Sequence, residues 1–269
     1  MRKCKVAVIG GGLSGLYTAQ ALHAAGVDVI LAEARGRIGG RILTVGEDGT
    51  PMDDGFDLGP SWFWPEMQPA MAELVNDLGL GSFIQHSTGD VVFERMSRER
   101  PQRFSPAYEN QQSMRLAGGT GAAIRALADH LPPDRLLLGT TVTAMTLKDG
   151  VVELTVQTSE GESEVLSAEQ VVAALPPRLF GANVKFEPAQ DPAIVTRWRS
   201  TPTWMAPHAK FFAIYEDAFW RKDGLTGTAR AWLVRWSRST MRRRIRERQP
   251  CSASSESVPT RGRRLGNTF

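Results

Sequence analysis

Cysteine is scarce in this chain, with only Cys4 and Cys251 among 269 residues. Two residues so far apart give neither a disulfide framework nor a zinc-ligand spacing. No run of 18 or more apolar residues occurs, so no membrane span is expected. The N-terminal MRKCK leads straight into a short apolar stretch and lacks the hydrophobic region of a secretory signal. Cytoplasmic location is therefore the expectation. No Ser-His-Asp arrangement and no metal-binding constellation stands out. Lysine is missing altogether from residues 231–269, where ten arginines meet only Glu247 and Glu256. That segment carries a charge of +8, so the net +3 of the whole chain conceals a body of −5 over residues 1–230. The remaining composition, 42% hydrophobic and 23% charged, is ordinary for a globular protein. The length suffices for one large or two modest domains.

What the chain does have is concentrated near its start. Val6–Ile9 is a short apolar run, as a buried parallel strand requires. Gly10, Gly12 and Gly15 follow as G-x-G-x-x-G. The first glycine permits a tight turn, the second lets a pyrophosphate approach the backbone, and the third lets the next helix pack on the strand. Leu16, Ala19, Leu22 and Ala25 recur at helical spacing, and Gly26 stops the helix. Val27–Leu31 reads as a second strand. Glu33 lies 21 residues beyond Gly12, where a carboxylate holds ribose hydroxyls. It would repel a 2′-phosphate, so NADP is disfavoured.

After Glu33 the chain reads Ala34-Arg35-Gly36-Arg37-Ile38-Gly39-Gly40-Arg41. This E-x-R-x-R-x-G-G-R run resembles the flavin-dependent amine oxidase family, which includes monoamine and polyamine oxidases and histone lysine demethylases. Phytoene desaturases and protoporphyrinogen oxidases share it. The resemblance implies FAD as cofactor, with Arg35 and Arg41 against it and Gly39-Gly40 passing close to it. Guanidinium forks suit the two phosphates of FAD. Gly10, Gly12, Leu13, Ser14, Gly15, Glu33 and Ala34 complete this part of the implied cofactor site.

The block Asp53-Asp54-Gly55-Phe56-Asp57-Leu58-Gly59-Pro60-Ser61-Trp62-Phe63-Trp64-Pro65 resembles the segment that in relatives runs beside the flavin ring. It implies Gly59, Pro60, Ser61 and Trp62 as cofactor contacts, with Trp62 and Trp64 as walls of a substrate site. Residues 66–80 read as a helix closed by Gly79. Gly118-Gly119-Thr120-Gly121 reads as the cap of a helix in which Ile124, Leu127 and Leu131 share one face. Residues 136–175 read as a β-meander, turned at Asp149-Gly150 and Glu160-Gly161, with Gln170–Leu175 returning to the parallel sheet. By the same resemblance Val142 lies near the adenine. Far downstream Lys210 opens an apolar strand followed by Glu216-Asp217, Phe219-Trp220-Arg221 and Gly224. In the family such a lysine bonds through a water to flavin N5, which makes Lys210 the expected catalytic residue. His208 is read as a loop residue.

The fold class implied is α/β: an FAD-binding Rossmann-type parallel sheet with a β-meander, plus part of an inserted α+β substrate domain. The expected cofactor-binding domain is 1–85 with 118–185, and the partial substrate domain is 86–117 with 186–230. Residues 231–269 are expected to be an aberrant or disordered tail, since relatives continue differently for well over a hundred residues and a frameshift near residue 230 would give such a segment. The activity implied is oxidation of a small-molecule amine with O2 as acceptor. Alternatives are a desaturase or protoporphyrinogen-oxidase-like flavoprotein, an inactive truncated fragment, or a nucleic-acid-binding protein acting through the tail. No metal is implied, and no nucleic-acid partner is expected on the favoured reading. The amine, the mode of flavin attachment and the oligomeric state stay open at this level.

Overall fold

The computed structural model describes residues 1–94, 100–105, 112–203, 209–231, 238–241 and 249–255. His208 and much of the segment 231–269 therefore lie outside the described residues. The chain forms two compact units. The first comprises Met1–Leu43 and Gly121–Thr203, and the second Thr44–Thr120 and Trp204–Phe269. Residues 44–85 thus belong to the second unit and 186–203 to the first.

The first unit is built on a seven-stranded sheet. Its order is Lys185–Glu187, Thr140–Lys148, Val151–Thr158, Ser163–Ala173, Arg2–Ile9, Val29–Ala32 and Leu136–Leu137. The opening strand–turn–helix–strand order appears as read, with the first strand beginning at Arg2 instead of Val6 and the second running Val29–Ala32 instead of Val27–Leu31. Arg2–Ile9 pairs in parallel with Val29–Ala32, Val6 opposite Val29, and helix Leu13–Ala24 crosses between them. Leu16 and Ala19 are fully buried, which is the apolar stripe doing its work. Ala25 lies beyond the last turn and is exposed. Both faces of the first strand are covered, Ala7 and Ile9 on one side and Val6 and Val8 on the other. Such two-sided burial explains why it reads as a continuous apolar run.

The meander differs from its expected form at both ends. Leu136–Leu137 pairs in parallel with Leu31–Ala32 as an edge strand, and a turn at Gly139 separates it from Thr140–Lys148. The third meander strand and the return strand are one element. Ser163–Ala173 pairs antiparallel with Val152–Gln157, while its residues Leu166–Ala173 pair in parallel with Arg2–Ile9. Asp149 (φ 50°) and Gly150 (φ 83°) make the left-handed pair that a tight hairpin needs. One core gathers Ala7, Ile9, Ile30, Val142, Leu154, Leu166 and Phe180, with the Phe180, Phe186 and Trp198 rings packed 5.1–5.7 Å apart at its edge.

The second unit carries a six-stranded sheet ordered Ala209–Tyr215, Gln249–Ser255, Arg238–Met241, Leu225–Ala231, Asp90–Glu94 and Gln102–Phe104. Two stretches of the arginine-rich segment are therefore strands. Gln249–Ser255 pairs along all of Ala209–Tyr215, with Lys210 opposite Ser254. Helix Pro69–Asp77 begins on a proline, which lacks the N–H that a first helical position leaves unused. Within Phe219–Lys222, Trp220 is almost wholly buried while Phe219 is exposed. Among the described residues no helix is long and apolar enough to cross a membrane.

Candidate functional site

The glycine turn is held by backbone bonds. Gly10 N donates to Ala32 O at 2.8 Å, and Leu16 N donates to Gly12 O at 2.9 Å as the first helical bond. A Cβ on Gly15 would lie 1.8 Å from Gly10 O, so this residue must be glycine for the helix to sit on the strand. Gly12 is different. Its Cβ would meet nothing nearer than Gly40 Cα at 4.0 Å, so no protein atom demands glycine there. That position suits the close approach of a group from outside the chain. Gly12 is also the helix N-cap, with no side-chain capping bond and no acid in the first turn. The N–H groups at the start of the helix therefore present partial positive charge to that space.

Glu33 is buried beside this turn. Its Oε2 accepts from Gly11 N at 2.6 Å and its Oε1 from Arg35 N at 2.9 Å. A carboxylate offers about four lone-pair directions, so it retains acceptor capacity for hydroxyls. The Gly39-Gly40 loop is fastened to the same turn, with Gly39 N donating to Gly11 O at 2.7 Å. Arg37 holds the loop closed. Its Nη1 donates to Ile38 O at 3.2 Å and its Nη2 to Gly40 O at 3.1 Å. Burial, helped by neighbouring Arg35, lowers the Arg37 pKa from the usual arginine range. Ala34, Arg35 and Arg41 are exposed. Val142 points its side chain into the core, next to a register slip between Val142 and Ala144. Any contact from this position to a ligand is left to its backbone.

In the second unit the structure brings Lys210 onto the segment 57–61. Its Nζ donates to Asp57 O at 3.0 Å, to Ser61 Oγ at 2.7 Å and to Gly59 O. Three donors meet three acceptors, so the ammonium pins the backbone of a segment some 150 residues away. The opposite side of that segment is pinned by Asp57, which sequence reasoning passed over. Its buried Oδ1 accepts from Thr44 Oγ1 at 2.8 Å, Thr120 N at 2.8 Å and Thr120 Oγ1 at 2.9 Å. Thr120 Oγ1 also lies 3.1 Å from Pro60 O. The sole signal for Asp57 was its place in a glycine-flanked acidic block.

The tryptophans follow next. Phe63 and Met114 exchange both backbone bonds, at 3.0 and 2.9 Å, and so sit directly opposite. That register sets Trp62 beside Arg115 and Trp64 beside Ser113. Phe63 turns inward and is buried, while both tryptophans share the other face and are half-buried. Trp64 Nε1 donates to Ser113 Oγ at 2.9 Å. The inward face, with Phe63 and Met114, borders a cavity of about 190 Å³ against Ala72 and Val75.

Residues 13–110 and 103–264 match the flavin containing amine oxidoreductase family. The chain belongs to that family. The match runs through most of the arginine-rich segment. Flavin-containing amine oxidase B from Canis lupus familiaris is 33% identical over 108 residues, covering 39% of this chain and 20% of the dog protein. The Sus scrofa protein of the same name is 42% identical over 81 residues, covering 30% and 15%. Protoporphyrinogen oxidase 2 from Arabidopsis thaliana is 38% identical over 76 residues, covering 28% and 14%. The alignments thus span about one-fifth or less of those relatives' lengths. Putrescine oxidase bound to putrescine superposes with a TM-score of 0.80 at 19% identity, over 94% of this chain and 75% of that one. Cyclohexylamine oxidase from Brevibacterium oxydans gives 0.76 at 18%, over the same shares. At such identities these likenesses show the fold.

Membership in the amine oxidoreductases implies a flavin, and the residues present fit one. The uncapped helix start at Gly12, the open side of that glycine and the acceptor capacity of Glu33 suit a diphosphate with an adjoining ribose. Gly10, Gly12, Leu13, Ser14, Gly15, Glu33, Gly39 and Gly40 are gathered there in one unit. Gly59, Ser61, Trp62 and Lys210 are gathered in the other.

Proposed function

We propose that the protein is an FAD-dependent amine oxidase. The observation that carries this reading is a Gly12 turn open to an anion with Glu33 beside it, in a chain of the flavin amine oxidoreductase family. FAD, when bound, would supply a two-electron acceptor for hydride from the amine α-carbon, with O2 as the final oxidant giving H2O2 and water hydrolysing the imine to aldehyde and ammonia. The chain's part is to bind and to orient. Helix Leu13–Ala24 would hold the diphosphate with its N-terminal N–H groups, and Glu33 would accept from the ribose. Arg37 keeps Gly39-Gly40 in place, leaving exposed Arg35 and Arg41 as the guanidinium groups for the cofactor. Lys210 is the proposed catalytic residue, through the positive charge and the Asp57–Ser61 backbone that it fixes. A small-molecule amine is the substrate.

A protoporphyrinogen-oxidase-like activity is the second reading, favoured by the Arabidopsis match over 76 residues. The test is to purify the protein with added FAD, record its visible spectrum, and assay peroxide release from putrescine, benzylamine and cyclohexylamine beside protoporphyrinogen. Flavin bands with amine-dependent peroxide are expected. Protein that neither retains nor takes up FAD sinks the proposal, and oxidation of the porphyrinogen alone transfers it to the second reading.

A further inference from the structure

Trp62 is fixed by two residues that nothing above assigns to the site. The pairing of Phe63 with Met114 puts Arg115 beside Trp62, and Arg115 lies with Cζ 5.0 Å from the centre of its ring. The next strand over, Ser82–Ile84, pairs with Met114–Leu116, and Gln85 N donates to Ser113 O at 2.7 Å. Alternation then brings Trp62, Arg115 and Gln85 to one face of the ribbon. Gln85 Oε1 accepts from Trp62 Nε1 at 3.3 Å and also from Arg115 Nε. The Gln85 amide is turned for this task, because its Nε2 donates to His86 O at 3.1 Å. Both lone pairs of one oxygen thus hold the edge of the indole and the cation stacked on its face. Arg115 itself is 3% exposed, which makes it a built-in part of the arrangement and not a surface charge.

We propose that Gln85 and Arg115 are positioning residues that set the orientation of the Trp62 indole and, through it, the fit of the amine. The second half rests on the amine oxidase reading, in which Trp62 walls the substrate site. The physical content is simple. An indole held only by packing rotates about two side-chain torsions, whereas this one has its N–H and its face each tied to a partner that is itself tied.

The test uses the full chain with FAD. Indole N–H signals are recorded by 15N NMR, with Trp62 identified by the signal that Trp62→Phe removes. Gln85→Leu is expected to move that signal and to raise KM for the best amine about fivefold while kcat stays within about twofold. Gln85→Glu keeps an acceptor for both partners but loses the Nε2 donor to His86 O, so it is expected to restore both readouts in part, leaving them between those of the parent and of Gln85→Leu. Should Gln85→Leu fail to fold, Arg115→Lys replaces it, since lysine supplies charge without the planar fork and is expected to act likewise. A Trp62 signal unmoved by these changes overturns the proposal. So does a shifted signal with unchanged KM in an active protein. If no amine is oxidised at all, the functional reading fails, and the NMR shift still decides whether Gln85 and Arg115 position the indole.

Discussion

Asp57 shows how much one side chain settles. Its Oδ1 collects a backbone N–H and two hydroxyls, all from buried or nearly buried donors on two separate segments. Removing the acceptor strands those donors away from water, and an unmatched buried donor costs about 1–3 kcal/mol. Asp57→Ala is therefore expected to lose about 3 kcal/mol of stability, and Asp57→Asn, which keeps the Oδ1 acceptor, about 1 kcal/mol. Urea unfolding of the two variants beside the parent checks this, and equal losses would show that the charge matters and the geometry does not. Lys210 belongs to the same arrangement from the other side, through Asp57 O. Lys210 was conspicuous through resemblance to the amine oxidase pattern, in which a lysine opens an apolar strand ahead of Phe219-Trp220-Arg221. Asp57 was not conspicuous, because its partners Thr44 and Thr120 lie 13 and 63 residues away. No local pattern reports such partners.

At the scale of elements, periodicity explains what was legible. Strand Arg2–Ile9, helix Leu13–Ala24 and strand Val29–Ala32 could be read because each has its own repeat and glycine punctuation. The hairpins at Asp149-Gly150 and Glu160-Gly161 could be read for the same reason. Pairing across the sheet could not. Ser163–Ala173 serves both the meander and the parallel sheet, and only its neighbours, far off in sequence, decide that. The Trp62–Phe63–Trp64 ribbon was likewise invisible until its register with Ser113–Arg115 was known. Strands Arg238–Met241 and Gln249–Ser255 lay hidden inside a segment whose arginine content resembles that of unfolded chains. The glycine turn itself allows a sharp contrast between packing and ligand binding. Gly15→Ala would put a Cβ 1.8 Å from Gly10 O, so helix and strand must part. A loss of about 3 kcal/mol or more is expected. Gly12→Ala meets open space at an unstrained φ of −79°, so stability should change by less than about 1 kcal/mol while flavin uptake falls. Thermal melts and flavin titration of both variants separate the two roles. Equal melting losses would show that Gly12 is also a packing glycine.

For the whole molecule, the division into two units has a consequence for ligand binding. The helix start, Glu33 and the Gly39–Arg41 loop all fall within Met1–Leu43, which the second unit does not share. Leu136–Leu137 and the meander strands then support this stretch from the same unit, since Glu33 N donates to Leu137 O and Thr140 N to Glu33 O. If the flavin is FAD, as proposed, its nucleotide half should therefore be recognised by the first unit alone. ADP, which carries the adenine, ribose and diphosphate without the flavin ring, is expected to slow amide exchange at Gly10–Gly15 and Glu33–Arg41 in the full chain. Exchange in Leu225–Ala231, at the middle of the other sheet, should stay as it is without ADP. The gain in the first unit follows mass action, so its size rises with ADP concentration above the dissociation constant. Hydrogen-exchange mass spectrometry resolves both peptides in one experiment. Slower exchange in both would mean that nucleotide binding orders the two units together. No change at Gly10–Gly15 would remove the Gly12 turn from the cofactor site.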